Sequence, residues 1–203
     1  MQINKESECK IIKKPMIMTQ EKWVNHFNNE GEGMVSAPNI YQTAKTGNKA
    51  LIESLKQDLK KEGIMTSSQI RYNKKTLFAE IIHNVGSKFA KIKKYKVEIP
   101  VFDGDFEENT KTEKYLQALF DTKGSIDKIL KTLKKFGKDK KLRLWTPDQS
   151  YRKKRPIRSV VLCFDGFDRF YVGGDGWFDD SEGLSRGVII DSAKQTKKRR
   201  KSK

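Results

Sequence analysis

Apolar residues recur at helical spacing in several stretches of the chain. The clearest helix is predicted between Asn48, a favourable N-cap, and Gly63, a favourable stop, with an apolar stripe of Leu51, Ile52, Leu55 and Leu59. A second strong helix is predicted after Ser125, and its apolar face comprises Ile126, Ile129, Leu130, Leu133 and Phe136. Shorter helices are predicted to begin at Thr19, Ser36 and Lys114.

Elsewhere the apolar positions alternate with polar ones or form short runs, and both patterns predict strands. The predicted strands cover residues 68–72, 76–83, 94–101, 142–145, 157–164, 169–172 and 187–190. Both alternating sets in 157–164 contain apolar residues, so this strand is predicted to be buried on both faces. Short connections join the last three strands, with a glycine-rich break at 173–176, and they predict an antiparallel meander.

The order of these elements predicts an α+β fold. It comprises N-terminal helices with a hairpin-rich sheet, a central helix pair and a C-terminal antiparallel sheet. The predicted regions are a flexible leader (1–18), a region of helices and a hairpin (19–102), a region with the helix pair and the antiparallel sheet (103–192) and a basic flexible tail (193–203).

Charge narrows the range of partners. The chain of 203 residues has 43 Lys or Arg against 26 Asp or Glu, a formal net charge of +17. A field of this sign attracts polyanions such as DNA, RNA or an anionic membrane face. The apolar runs are too short to span a bilayer, so we expect no membrane association. Cys9 and Cys163 differ in setting and predict no disulfide, which favours an intracellular, cytoplasmic protein; a nuclear or nucleoid-associated location stays open.

The positive charge is unevenly distributed along the chain. Residues 121–160 carry 14 Lys or Arg against 4 Asp, a net charge of +10. Residues 161–193 carry 2 Arg against 7 acidic residues, a net charge of −5, and residues 194–203 carry 7 basic residues and no acid. A basic stretch and a basic tail therefore flank an acidic region.

The basic stretch supplies the candidate nucleic-acid-binding residues. Arginine and lysine suit backbone phosphates, and an aromatic face suits an unpaired base. The candidates in this stretch are Lys134, Lys135, Lys138, Lys140, Lys141, Trp145, Tyr151, Arg152, Lys153, Lys154 and Arg155. The tail adds a flexible arm of Lys197, Lys198, Arg199, Arg200 and Lys201.

The acidic region offers a different chemistry. Carboxylates could hold Mg²⁺ for phosphodiester cleavage, and the candidates are Asp165, Asp168, Asp175, Asp179, Asp180 and Glu182. Most of them lie beside Gly or Ser, so the same residues are also typical of turns, and we favour that reading. His83 ends a predicted strand, where a structural role is more common than a catalytic one.

The pattern as a whole predicts a non-catalytic protein that binds DNA or RNA through its phosphates, with no cofactor, metal or obligatory small molecule. Two alternatives stay open. One is a Mg²⁺-dependent nuclease that uses the acidic loops between Asp165 and Glu182. The other is a protein-interaction or structural factor whose charge attracts an acidic partner.

Overall fold

A computed structural model describes residues 10–100, 109–137, 142–144, 156–164, 170–177 and 182–189. Within these ranges the chain forms five helices and nine strands. The helices are α1 (Gln20–Asn29), α2 (Ala37–Thr46), α3 (Lys49–Lys61), α4 (Thr110–Leu119) and α5 (Ile126–Leu133). The strands are β1 (Lys10–Thr19), β2 (Gly33–Met34), β3 (Ile64–Tyr72), β4 (Phe78–His83), β5 (Lys93–Glu98), β6 (Leu142–Leu144), β7 (Ile157–Phe164), β8 (Phe170–Trp177) and β9 (Glu182–Ile189). The predicted α+β class is confirmed.

The helices begin at the polar residues that the sequence marks as caps. Thr19 Oγ1 accepts a hydrogen bond from the backbone N–H of Lys22, and Asn48 Oδ1 accepts one from Leu51, at 3.3 and 3.1 Å. Gly63 follows α3 with a φ of +76°, the left-handed conformation that glycine adopts without strain. Within the described residues, no helix is long and apolar enough to cross a membrane.

The strands form one mixed sheet with the order β1-β9-β3-β7-β8-β6. The hairpin of β4 and β5 joins the sheet alongside β3, and β2 pairs with β9. The β3–β9 and β6–β8 pairs are parallel, and the other pairs are antiparallel. β3 is the centre of this arrangement, because β7 lies along one of its edges while β9 and β4 share the other.

The predicted flexible leader is wrong for residues 10–18. They belong to β1, which pairs antiparallel with β9 from Lys10 opposite Ile189 to Thr19 opposite Glu182. Ile11 packs against the main core, and the pairing register shifts between Lys13 and Ile17. Pro15 lies within that irregularity, a position at which strands tolerate a residue that has no N–H to donate. Residues 1–9 and the predicted tail 193–203 lie outside the described ranges.

The predicted C-terminal meander is correct for its first two strands only. β7 and β8 pair antiparallel, but β8 continues through Gly173, Gly174 and Gly176 because β7 supplies a partner along that length. β9 lies on the far side of β3, beside β1, and does not pair with β8. This position depends on contacts distant in sequence, which local turn signals do not encode.

Alternation along β3 and β7 places different helices on the two faces of the sheet. Ile64 and Ile70 of β3 and Val160 and Leu162 of β7 belong to the main core, which also contains apolar residues of α2, α3, α4 and α5. Met65 of β3 belongs to a second cluster, with Trp23, Val24, Phe27 and Met34, and Val161 of β7 packs against it. α1 therefore covers the opposite face. β7 was predicted to be buried on both faces, and it is buried on the face of Val160 and Leu162 but only partly buried on the face of Val161 and Cys163.

Candidate nucleic-acid interface

Helix α5 has one apolar and one basic face. Ile126, Ile129 and Leu133 are buried in the main core, in the same cluster as Leu162. Lys128 and Lys131 lie one turn apart on the exposed side, and Lys135 follows just beyond the end of the helix. The core contacts fix the rotation of the helix about its axis. Lys128, Lys131 and Lys135, which we call the lysine stripe, therefore face solvent.

The lysine stripe forms one wall of a groove of about 610 Å³, which we call the lysine groove. The opposite sides come from the C-terminal half of α2 and from the loop between α4 and α5. The lining residues are Tyr41, Lys45, Thr122, Lys123, Gly124, Lys128, Lys131, Thr132 and Lys135. Five of these nine residues are lysines and none is a carboxylate.

Hydrogen bonds and packing hold the walls of the groove in place. Lys135 Nζ donates to the carbonyl oxygen of Ala44 at 2.8 Å, which joins the end of α5 to the end of α2. Glu113 Oε2 accepts from the backbone N–H of Ile126 at 3.2 Å, and Gln117 Nε2 donates to the carbonyl of Gly124 at 3.1 Å. These contacts fix the α4–α5 loop before any ligand arrives.

The arrangement concentrates positive charge in a concave surface. Lys45, Lys123, Lys128, Lys131 and Lys135 are all exposed, and their like charges repel one another across the groove, although Lys135 Nζ also donates to the carbonyl of Ala44. An anion with several charges relieves this repulsion at each lysine that it meets. Lysine is a point charge on a flexible stem, which suits successive phosphates at variable spacing.

Only a small part of the predicted nucleic-acid site can be located in the structure. Lys135 lines the lysine groove, and Lys134 is exposed beside it without lining it. The other predicted residues lie outside the described ranges: Lys138, Lys140, Lys141, Trp145, Tyr151, Arg152, Lys153, Lys154, Arg155, Lys197, Lys198, Arg199, Arg200 and Lys201. Their contribution to a binding surface stays a prediction.

Four lysines of the groove were missed by sequence reasoning. Lys128 and Lys131 face away from the apolar stripe of α5 and precede Lys135 by seven and four residues, a spacing that predicts a shared basic face. Lys123 directly precedes the helix cap region and could have been grouped with them. Lys45 has no such signal, because its place depends on how α2 packs against α5.

Two of the six residues proposed for Mg²⁺ lie within the described ranges, and they belong to strands that are not neighbours in the sheet. Asp165, Asp168, Asp179 and Asp180 lie outside the described ranges. Asp175 belongs to β8 and Glu182 to β9, two strands separated by β3 and β7, or roughly 14 Å across the sheet. In the part of the chain that the structure describes, no three His, Cys, Asp or Glu residues are grouped to hold a metal ion.

His83, the last residue of β4, is a structural histidine. Its side chain is buried, with Nδ1 at 2.8 Å from Ser68 Oγ and Nε2 at 2.9 Å from the carbonyl oxygen of Ala118. The carbonyl can only accept, so Nε2 carries the proton and Nδ1 accepts from the serine hydroxyl. Burial lowers the pKa of His83 below its ordinary value of 6.5, against the opposing effects of the Ala118 carbonyl and of Asp121.

Acidification is expected to destabilise the fold through His83. Because its folded-state pKa is depressed, the unfolded chain takes up the proton first, and the free energy of unfolding should fall as the pH drops below about 6.5. Urea denaturation at several pH values between about 7.5 and 5.5 measures this loss. In the His83→Gln variant the loss should be smaller over the same interval, and an equal loss in both proteins would contradict the assignment.

Asp121 links the groove to the β4–β5 hairpin. Lys93 Nζ and the Tyr95 hydroxyl both donate hydrogen bonds to its carboxylate, and Thr122 and Lys123 of the groove follow directly in the chain. Burial opposes ionisation of Asp121, but the bonds from Lys93 and Tyr95 outweigh it and hold the pKa of Asp121 below its ordinary value. Burial, with the bond to Asp121, raises the pKa of Tyr95 to about 12. The edge of the groove is therefore anchored to β5.

Comparison with known proteins provides no family for this chain. No family model matches it, and searches of curated proteins and of solved structures find no match.

Proposed function

We propose that this chain is a non-catalytic nucleic-acid-binding protein that holds a phosphate backbone in the lysine groove. The observation that carries the proposal is the convergence of five lysines from α2, α5 and the α4–α5 loop on one concave surface without a carboxylate. A nucleic-acid backbone is a regular polyanion, and its phosphates match a surface that offers several cations in succession.

The composition of the chain after α5 supports the proposal. α5 leads directly into residues 138–155, which contain eight further Lys or Arg and two aromatic residues, Trp145 and Tyr151. The tail of 194–203 adds seven more basic residues. These segments add cations to the chain, and DNA and RNA both offer the phosphates that such cations bind.

Lysine-dominated contact predicts a particular binding behaviour. Contacts to phosphate position a polymer without reading its sequence, so we expect affinity to depend weakly on base sequence and steeply on salt. Each phosphate contact contributes roughly 0.9 for duplex DNA, or 0.7 for a single strand, to the slope of log affinity against log salt concentration.

Neutralising Lys128 and Lys131 tests the groove directly. Both side chains are exposed, so Lys128→Gln with Lys131→Gln should leave the fold intact. Loss of two phosphate contacts should weaken binding at 0.1 M salt by roughly 25-fold for a single strand and roughly 60-fold for a duplex. Fluorescence anisotropy with labelled DNA and RNA, titrated at several salt concentrations, measures both the affinity and the slope.

The matched control removes two exposed lysines that do not line the groove. Lys74→Gln with Lys114→Gln changes the net charge by the same amount. It should weaken binding several times less, because a distant charge acts only through the screened overall field. Equal losses in the two variants would show that net charge alone attracts the polymer. Failure of the parent protein to bind any of the polymers would overturn the proposal.

A further inference from the structure

The segment of residues 84–96 exposes apolar side chains within a run of lysines. Phe89 is 36% exposed and Ile92 is 45% exposed, although residues of these types are usually buried. The segment contains Lys88, Lys91, Lys93, Lys94 and Lys96 and no acidic residue. The combination of apolar and cationic side chains suits a ligand that has both an apolar face and negative charge.

Hydrogen bonds hold the first part of this segment in a defined shape. Asn28 binds it at two points, donating to the carbonyl of Gly86 and accepting from the N–H of Lys88, each at 2.9 Å. Ser87 Oγ accepts from the backbone N–H groups of Phe89 and Ala90 at 3.2 and 2.9 Å. Phe89 is therefore presented on an ordered loop, which reduces the conformational entropy lost when a ligand binds.

The C-terminal part of the 84–96 segment adjoins the edge of the lysine groove. Its Lys93 is bonded to Asp121, and Lys123 of the groove lies two residues beyond Asp121, or roughly 7 Å along the chain. Each nucleotide of an extended strand spans a comparable length, so a backbone that leaves the groove at Lys123 meets the 84–96 segment within a few nucleotides. Lys88, Lys91 and Lys94 of the segment are exposed. The first part of the segment lies against α1, on the opposite face of the sheet from the groove, so a strand that reaches Phe89 passes around β5, which among the described strands pairs only with β4.

We propose that the 84–96 segment receives unpaired bases of a single strand whose phosphates lie in the lysine groove, with Phe89 as the stacking residue and Ile92 as a further apolar contact. The inference rests on the proposed function and adds a preference for single-stranded over duplex nucleic acid. In a duplex the base faces are covered by their neighbours, so an exposed aromatic ring gains nothing there. A single strand offers both a phosphate for each lysine and a face for the ring.

Replacing Phe89 separates stacking from charge. Phe89→Ala leaves every lysine in place, so the salt slope should stay at the parent's value while affinity for a single strand falls by about 5- to 20-fold. Affinity for a duplex of the same sequence should change by less than about twofold. Phe89→Trp should bind a single strand at least as tightly as the parent, because the larger ring keeps the stacking face. If Phe89 were needed only for the structure of the loop, its loss would weaken single-strand and duplex binding equally.

Phe78→Ala is the matched control. Phe78 is 43% exposed and lies at the other end of β4, roughly 17 Å along the strand from His83, which pairs with Lys93. Its ring centroid lies 5.5 Å from Lys96 Nζ at the far end of the segment, so this variant tests whether loss of an exposed ring beside a lysine is enough to weaken binding. Loss of Phe78 should leave both affinities within about twofold of the parent. An anionic membrane is the other partner that such a surface fits. It is tested by measuring the binding of the parent and of both variants to vesicles of phosphatidylserine and phosphatidylcholine in equal parts.

The outcomes distinguish the two proposals. If the parent binds single strands and the Lys128/Lys131 variant loses that binding, but Phe89→Ala binds single strands as the parent does, the groove stands and the stacking inference is wrong. Equal losses for single strand and duplex would also overturn the inference. A third outcome is that the parent binds the vesicles and Phe89→Ala does not, while both proteins bind a single strand equally. That outcome would assign the segment to a membrane surface instead. If the parent binds no polymer, both proposals fall.

Discussion

Replacing Asp58 with alanine is expected to lower the free energy of unfolding by about 3–5 kcal/mol, because it leaves a buried guanidinium without its counter-ion. Asp58 and Arg186 are 3% and 2% exposed, and the carboxylate accepts from Nε and from the terminal nitrogen of Arg186 at 2.9 and 2.7 Å. Lys13 adds a third contact at 2.8 Å. This ion pair connects α3 to β9, and the contact of Lys13 connects β1 to the same pair. β1 and β9 are the two strands whose positions the sequence patterns predicted least well.

Urea denaturation of three variants tests this account. Asp58→Ala should be much less stable than Asp58→Leu combined with Arg186→Met, because the double variant removes both buried charges and fills their space with apolar atoms. Lys13→Gln is the control for an exposed partner and should cost less than about 1 kcal/mol, since the lysine side chain is 53% exposed. A loss of less than about 1 kcal/mol for Asp58→Ala would contradict the role of the ion pair.

Reversing the charge of three groove lysines is expected to have the largest effect on binding. Lys123→Glu, Lys128→Glu and Lys131→Glu together remove three phosphate contacts, which at 0.1 M salt weakens binding by roughly 125-fold for a single strand and roughly 500-fold for a duplex. Repulsion between the new carboxylates and the phosphates adds to this loss. All three lysines are exposed and lie on one wall and one edge of the groove.

The control carries the same change of six charge units elsewhere. Lys61→Glu, Lys74→Glu and Lys114→Glu replace exposed lysines outside the groove lining. If a local site holds the polymer, this variant should lose several-fold in affinity while the groove variant loses at least two orders of magnitude. Circular dichroism and the urea midpoint of both variants show whether the fold is retained, so that a loss of binding can be assigned to the surface.

The helices were largely predictable because their signals are local. Thr19, Asn48 and Ser125 are the N-caps of α1, α3 and α5, and each precedes the apolar stripe of its helix. Gly63 ends α3 within a few residues of the last apolar position of that helix. The hairpin of β3 and β4 was also predicted, since its strands are adjacent in sequence and its turn is polar. The α+β class follows from these elements.

The strand order and the groove required information that a local pattern does not contain. β1 reads as a polar leader, yet pairing with β9 and the contacts of Ile11 and Lys13 hold it in the sheet. The lysine stripe of α5 can be read from residue spacing, but the opposite wall, with Lys45, is set by the packing of α2 against α5. Burial of His83 between Ser68 and Ala118 likewise depends on tertiary contacts.

The salt dependence of binding tests the central claim most directly. Binding of a labelled single-stranded oligonucleotide is measured at several salt concentrations for the parent and for the variant with Lys123, Lys128 and Lys131 changed to Glu. If the lysine groove holds the phosphates, the slope of log affinity against log salt should be at least about 2 units shallower in the variant, because three contacts of roughly 0.7 each are lost. Equal slopes in the two proteins would show that the polymer binds elsewhere and would contradict the account.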